Sequence, residues 1–223
     1  MLNARNPFIV VEGLDGTGKT TLRKGLFRLF EGLYRGTPLA VLTANFLDAS
    51  VAADLVEGKY QPDPDNRLHY LAALAADKQA TATRLIAPSL PVRPVIADRW
   101  LLSELAFFAV KHGRAPKETY PHLAESLSVI PDLTLVLDIS PEAAMERAAA
   151  RPGDATRPDW DVLDVQARVR QVYQTVIDEP SAYPVLGPVV RIDAAQDRAT
   201  VLHTAWQALV QRGLLPELPE GAQ

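Results

Sequence analysis

The sequence predicts a doubly wound α/β fold, a parallel sheet of about five strands with helices on both faces. Three observations predict it: five short apolar runs rich in β-branched residues, helical periodicity between them, and run ends that carry glycine or aspartate. The first run, Phe8-Ile9-Val10-Val11, is apolar at consecutive positions and passes at once into glycine-rich sequence, as a strand buried on both faces does. From Lys19 onward Leu22, Leu26, Leu29, Phe30 and Leu33 recur at helical spacing while Arg23, Lys24 and Arg28 fall largely elsewhere, so a helix follows. Leu39 to Leu42 reads as the second strand, Gln61-Pro62-Asp63-Pro64-Asp65 as a turn or loop, and Arg67 to about Leu85 as a long alanine-rich helix. Pro94-Val95-Ile96-Ala97-Asp98 and Leu133 to Asp138 are two further buried strands, each ending in a carboxylate. Ser140 and Pro141 then open a helix, with the hydroxyl at N-cap and proline at N1. Arg151 to Pro158, rich in Pro, Gly, Asp and Arg, interrupts the helices. A helix from about Asp161 to Ile177, a strand from Val189 to Ile192 and a helix ending near Gly213 complete the pattern. Residues 1–215 are expected to form one domain, with 216–223 a loosely ordered tail. Ligands of such sheets bind at the carboxyl ends of the strands, where Asp98, Asp138 and the glycine-rich segment should gather.

Composition narrows the function classes. With 223 residues, 48% hydrophobic and 22% charged, the chain has ample material for a core. No apolar run approaches the roughly 18 residues that span a bilayer. Met1 to Pro7 does not resemble a secretory signal, so a cytoplasmic location and no membrane role are expected. The absence of cysteine removes disulfides, thiolate metal sites and a cysteine nucleophile, and any metal must be held by oxygen or imidazole. The four histidines, His69, His112, His122 and His203, show no metal-ligand spacing. A formal net charge of −4 offers no general surface for nucleic acid, while a small anionic ligand fits local cationic clusters.

The chemistry is carried by Gly13-Leu14-Asp15-Gly16-Thr17-Gly18-Lys19-Thr20, which satisfies G-x-x-x-x-G-K-[ST] between a predicted strand and a predicted helix. Such a phosphate-binding loop turns successive backbone N–H groups around phosphate oxygens, and the helix starting near Lys19 adds its positive dipole end. The Lys19 ammonium is expected to reach the β- and γ-phosphates of ATP, and the Thr20 hydroxyl to meet Mg²⁺. The loop alone leaves kinase, GTPase and motor ATPase open.

The segment from Phe8 to Thr21 resembles the opening of the thymidylate kinase family, among the nucleoside monophosphate kinases of the P-loop superfamily. Further segments agree in order and spacing: Leu71 to Lys78, Val95 to Trp100 with Ser103, Pro131 to Asp138 with Pro141-Glu142 and Glu146-Arg147, Arg168-Val169-Arg170 before Tyr173, and Arg191 to Ala194. The resemblance implies ATP and Mg²⁺ as cofactors, small-molecule nucleotide substrates and a homodimer. It implies that Gly13, Gly16, Thr17, Gly18, Lys19, Thr20 and Thr21 hold ATP, with Arg147 beside the adenine. It further implies that Arg99 holds the acceptor's phosphate, that Asp98 lies near metal and acceptor, and that Asp15 organises the acceptor sugar and the closing lid. Leu74, Lys78 and Ser103 fall at acceptor positions. Having glycine at position 16, the chain matches the form of the family that takes its catalytic arginines from a lid, here about residues 148–160, with Arg151 and Arg157 as the candidates.

A monophosphate acceptor has a second pKa of about 6 and is a competent nucleophile without a base, whereas a hydroxyl acceptor needs a carboxylate in reach. Nucleoside kinases place a glutamate just after the second strand, where Leu42-Thr43-Ala44-Asn45-Phe46 offers none. The expected reaction is therefore phosphorylation of a monophosphate, dTMP first. Transfer to another nucleotide or to a nucleoside hydroxyl, and a non-catalytic nucleotide-binding regulator, are the alternatives. Three departures from the family concern the base. The R-E-P-G-G-T-like stretch is missing, Leu74 stands where a stacking phenylalanine is usual, and Lys78 where an arginine reads the base.

Overall fold

The computed structural model describes residues 6–33, 37–42, 46–56, 67–150 and 160–215. Its strands are β1 (Phe8–Gly13), β2 (Leu39–Leu42), β3 (Val95–Asp98), β4 (Leu133–Asp138) and β5 (Val189–Asp193). All five are parallel, in the order β2-β3-β1-β4-β5. The helices are α1 (Lys19–Leu33), α2 (Ala49–Val56), α3 (Arg67–Thr81), α4 (Ala87–Ser89), α5 (Leu101–His112), α6 (Pro116–Ala124), α7 (Pro141–Ala149), α8 (Leu163–Asp178) and α9 (Arg198–Gln211). The expected doubly wound parallel sheet is the observed one. The loop at 61–65, Arg151 to Pro158 and the tail at 216–223 lie outside the described residues.

β1 takes the centre because its residues can be covered on both sides. Phe8, Ile9, Val10 and Val11 are each at most 1% exposed, and since neighbours on a strand point to opposite faces, helices must cover both. α1 lays Leu22, Leu26 and Phe30 on β1 and β3 and packs against α9. α5 packs on β1 and against α6 and α8. Trp100 meets Phe8 edge to face, with centroids 6.0 Å apart, and closes the core at the start of α5.

Two differences from the sequence reading have physical causes. The helix expected to end near Leu85 continues through a π-turn, Ala82–Ile86, into α4. Pro88 has no N–H and crowds the carbonyl four residues back, and just ahead of it the Ala87 N–H bonds five residues back, to Ala82. Helices α2 and α6 are additions to the sequence reading, and so is α5. Its Leu101, Leu102, Leu105, Ala106 and Phe108 are all buried, so it shows a broad apolar surface in place of one clean stripe, and Gly113 at φ +63 ends it.

Register brings the functional ends together. Val11 pairs with Asp98, Leu42 with Asp98, Gly13 with Leu137 and Asp138 with Asp193, so all five carboxyl ends share one edge. The helix leaving that edge at Ser140 is capped as its sequence predicts, the Ser140 hydroxyl accepting from Ala143 N at 3.2 Å with Pro141 in the first turn. Replacing this cap, Ser140→Ala, is expected to lower unfolding free energy by about 1 kcal/mol, with Ser140→Asp near the natural value in chemical denaturation.

Candidate active site

The loop between β1 and α1 depends on a glycine for close approach. Gly16 has φ +89, and a Cβ there would stand 1.8 Å from the carbonyl oxygen of Ala144 in α7. No side chain fits at position 16 without moving that helix. The loop is tied internally by Thr17, whose Oγ1 donates to Leu14 O at 2.8 Å. Lys19, the first residue of α1, is 7% exposed; its Nζ donates to Leu14 O at 2.7 Å and lies 3.5 Å from Asp15 Oδ1. Burial, helped by the charge of Arg99 and opposed by Asp15, Asp98 and Glu12, lowers the Lys19 pKa to about 7. Thr20 and Thr21 are exposed on the first turn, whose N–H groups have no partner within the helix. Gly13, at φ +145, opens this loop, and Gly18, at φ +93, stands between Thr17 and Lys19.

Arg99 sits where β3 turns into α5. It is the only non-glycine among the described residues with positive φ, +71. Its backbone N–H donates to Val11 O at 2.9 Å. Its Nη1 donates to Gly13 O at 3.0 Å, Ser103 Oγ at 3.0 Å and Tyr173 OH at 3.4 Å, and its Nη2 to Asp15. Burial works against its charge, but Tyr173, Asp15 and Glu12 together push its pKa further up. Asp98, the residue before, holds Arg23 of α1, with Oδ2 3.3 Å from Nε.

Glu12, to which the sequence reading assigned no role, is fully buried at the end of β1. It accepts from Trp100 N at 2.7 Å, Ser103 N at 3.2 Å, Ser103 Oγ, and Tyr173 OH at 3.4 Å. Burial raises its pKa above the usual carboxylate range, and Ser103, Arg99 and the two backbone N–H groups pull against that rise. The available signal was an acid inside a strand otherwise apolar, since a buried carboxylate has to find donors.

A cavity of about 470 Å³ opens beside Arg99. Asp15, Arg99, Ser103 and Tyr173 make its polar end. Phe46, Tyr70, Phe107 and Trp160 supply aromatic wall, and Leu74 lines it as well. Lys78 is not on its lining; the ammonium, 1% exposed, pairs with Glu104 at 2.8 Å and stands 5.0 Å from the Trp100 ring centre, and Glu104 is the member of the pair that lines the cavity. Phe46 is placed by Asp77, whose Oδ1 accepts from the N–H groups of Leu47 and Asp48 at 2.8 and 2.9 Å. A second cavity, about 560 Å³, lies past the ends of β4 and β5. Arg147 and Ser140 line it, with Arg147 Nη1 donating to Ala194 O at 2.6 Å, and Asp138 there is held by Arg170 through two bonds of 2.7 and 3.2 Å. Arg151 and Arg157 lie outside the described residues.

The arrangement offers a glycine loop, one cavity lined by its Leu14 and Asp15, a second past the ends of β4 and β5, and a guanidinium that bonds the loop and lines the first. A model of the family described as thymidylate kinase matches residues 11–195. The chain belongs to the thymidylate kinase family. It is similar to a thymidylate kinase of Synechococcus sp. (strain JA-3-3Ab), 32% identical over 216 residues, which cover 95% of this chain and 98% of that one. A thymidylate kinase of Shewanella sp. (strain MR-4) is 32% identical over 213 residues, covering 90% and 94%. Membership makes the chain a phosphotransferase of the nucleoside monophosphate kinase class, with ATP as co-substrate. Among the described residues no helix is long and apolar enough to cross a membrane.

Lys19 yields a sign-specific prediction. Unfolded, its amine keeps a proton to about 10.5, and folded it releases one at about 7, so over that interval the unfolded state binds more protons and stability rises with pH. Below pH 7 the full cost of the buried charge applies. In phosphate-free buffer Lys19→Met should therefore melt no lower than the natural chain at pH 6 to 7 and lack the rise toward pH 10, the difference being on the order of a few kcal/mol. Its turnover should fall by about three orders of magnitude or more.

Proposed function

We propose that the chain transfers the γ-phosphoryl group of ATP to dTMP, giving dTDP. The observation that carries this reading is the placement of Arg99, which binds Gly13 O and Asp15 of the loop and also lines the 470 Å³ cavity. A phosphate held by that guanidinium lies next to the loop that holds the donor, which is the proximity a transfer between two bound anions needs. The acceptor phosphate is ionised at neutral pH, so the chain has only to position it and offset charge.

In this reading the N–H groups of Gly13 to Thr21 cradle the triphosphate, and Lys19 swings from Leu14 O to its β- and γ-oxygens. Adenine takes the second cavity beside Arg147. Asp15 orients Arg99 toward the acceptor, and Ser103 supports the same guanidinium. Phe46, Tyr70 and Leu74 pack on the base, and Lys78 acts on it through Glu104. Mg²⁺ fits the donor set at the loop: Thr20 supplies a hydroxyl and Asp98 a carboxylate whose Oδ2 is engaged by Arg23, both hard oxygen ligands. Held by Thr20 and Asp98, such an ion would supply charge neutralisation to the transferring phosphates. Because Ala144 excludes a side chain at Gly16, arginine for the transferring phosphoryl has to come from elsewhere, and Arg157 and Arg151 of the lid supply it. One kinase domain over residues 1–215, a cytoplasmic location and a homodimer complete the reading.

Two measurements test it. Arg99→Ala should raise the acceptor KM, while Arg157→Ala should mainly lower kcat by about 10³-fold with ATP affinity little changed, because one acts on a ground-state phosphate and the other on transition-state charge. Identical effects confined to acceptor KM would sink that division. For the base, kcat/KM across dTMP, dUMP, dCMP, dGMP and dAMP, with thymidine as control, should show dTMP used with at least one other monophosphate turned over within about tenfold, since Leu74 forgoes aromatic stacking. Lys78→Arg should shift the preference, because the planar fork that replaces the compact ammonium holds the Glu104 carboxylate differently on the cavity lining. Strict dTMP preference unchanged by that substitution would assign base reading to other residues.

A further inference from the structure

We infer that Glu12 is the positioning residue for Arg99, joining the acceptor's guanidinium to the strand that carries the donor's phosphate loop. The inference rests on the reading of Arg99 as the acceptor-phosphate ligand.

Three consecutive residues at the end of β1 grip one turn. Val11 O takes the Arg99 N–H, the Glu12 carboxylate takes the N–H groups of Trp100 and Ser103, and Gly13 O takes Arg99 Nη1. Trp100 is the N-cap of α5 and Ser103 lies in its first turn, whose N–H groups have no partner within the helix, and the Trp100 side chain caps none of them. Glu12 therefore acts as a cap supplied from another element, and through Trp100 N it holds the residue next to Arg99, the one non-glycine at positive φ among those described.

Its second arm sets polarity. Arg99 Nη1 can only donate, so Ser103 Oγ must turn a lone pair toward it, and the Ser103 proton must go elsewhere. Glu12 Oε2 accepts that proton, being an acceptor with nothing to donate while ionised. Tyr173 OH, 2.9 Å from Ser103 Oγ and 3.4 Å from Glu12 Oε2, closes the set from α8. A neutral amide at position 12 would keep an oxygen for the backbone N–H groups but put a donor where Ser103 now donates, which leaves the cap in place, sends the Ser103 hydrogen bond to Tyr173 OH instead, and removes the negative charge from beside Arg99.

The test is a cycle of Glu12→Gln and Arg99→Ala, with dTMP as acceptor. In the natural background Glu12→Gln should raise acceptor KM about tenfold, the loss of one charge-assisted bond, while the Kd of a fluorescent ATP analogue stays within about twofold. In the Arg99→Ala background the same change should move acceptor KM by less than about twofold, because it acts through Arg99. An unchanged KM in the natural background, or an equal rise in both, would overturn the inference. If Arg99→Ala alone leaves acceptor KM unchanged, the fault lies with the assignment of Arg99 and the inference falls with it. Should Glu12→Gln not fold, Ser103→Ala takes its place in the cycle, and additivity there overturns the inference.

Discussion

The carboxyl edge of the sheet is organised around a buried acid. A carboxylate taken fully out of water is tolerated only when its oxygens meet donors or a cation, and Glu12 meets four donors with Arg99 beside them. Those partners come from the turn after β3, from α5 and from α8. Burying Glu12 thus requires that β1, β3 and the two helices over it arrive at fixed positions, and Arg99 is carried into place by the same requirement. The chain accepts a strained backbone at Arg99, φ +71, because its N–H, its side chain and its neighbours are all bound.

A second constraint comes from close packing on the other flank of the loop. Ala144 of α7 presses its carbonyl against Gly16, so the loop is walled by backbone and cannot host a side chain of its own at that point. Asp15, one residue earlier, instead points to cations, its Oδ1 shared by Arg99 and Lys19. A negative charge in a triphosphate loop is costly unless balanced, and here it lies between two positive groups. Those two groups repel each other, one reason besides burial that Lys19 titrates near 7. An anion placed among them would restore its proton, so the loop is poised to gain charge on its lysine as phosphate arrives.

Much of this was legible in the sequence, and for identifiable reasons. The five strands and the loop follow from contiguous patterns: period, β-branching, glycine spacing and a terminal carboxylate. The glycine loop is local, so its residues could be named together. Partnerships between distant segments were not legible. Glu12 and Trp100 are 88 residues apart, and only the pairing of β1 with β3, Val11 opposite Asp98, brings them to one corner. Asp77 reaching Leu47 and Asp48, and Lys78 reaching Glu104, are likewise products of α3 packing, and a lone acid or lysine on a helix reads as surface until that packing is known.

The Lys78 and Glu104 pair shows what the altered base pocket changes physically. Both are nearly buried, at 1% and 7% exposed, and a buried pair of this kind contributes little net stability because desolvation offsets attraction. Its consequence is positional. With its ammonium held by Glu104 and covered by Trp100, Lys78 fixes a carboxylate on the cavity lining, and a carboxylate accepts hydrogen bonds where an arginine would donate them. In the proposed reading, where the base takes this cavity, the surface it meets is then reversed in polarity at that point: it favours an N–H of the ring and disfavours a carbonyl. Thymine presents both on one edge, N–H flanked by two carbonyls, so discrimination turns on how the base is set against Glu104. In that reading the aromatic walls from Phe46, Tyr70 and Phe107 control the setting, and the backbone just after Phe46, at Leu47 and Asp48, is bonded to Asp77, the residue next to Lys78. In the proposed reading, base choice and base placement are thereby governed from adjacent residues of α3, Lys78 through Glu104 and Asp77 through the backbone after Phe46.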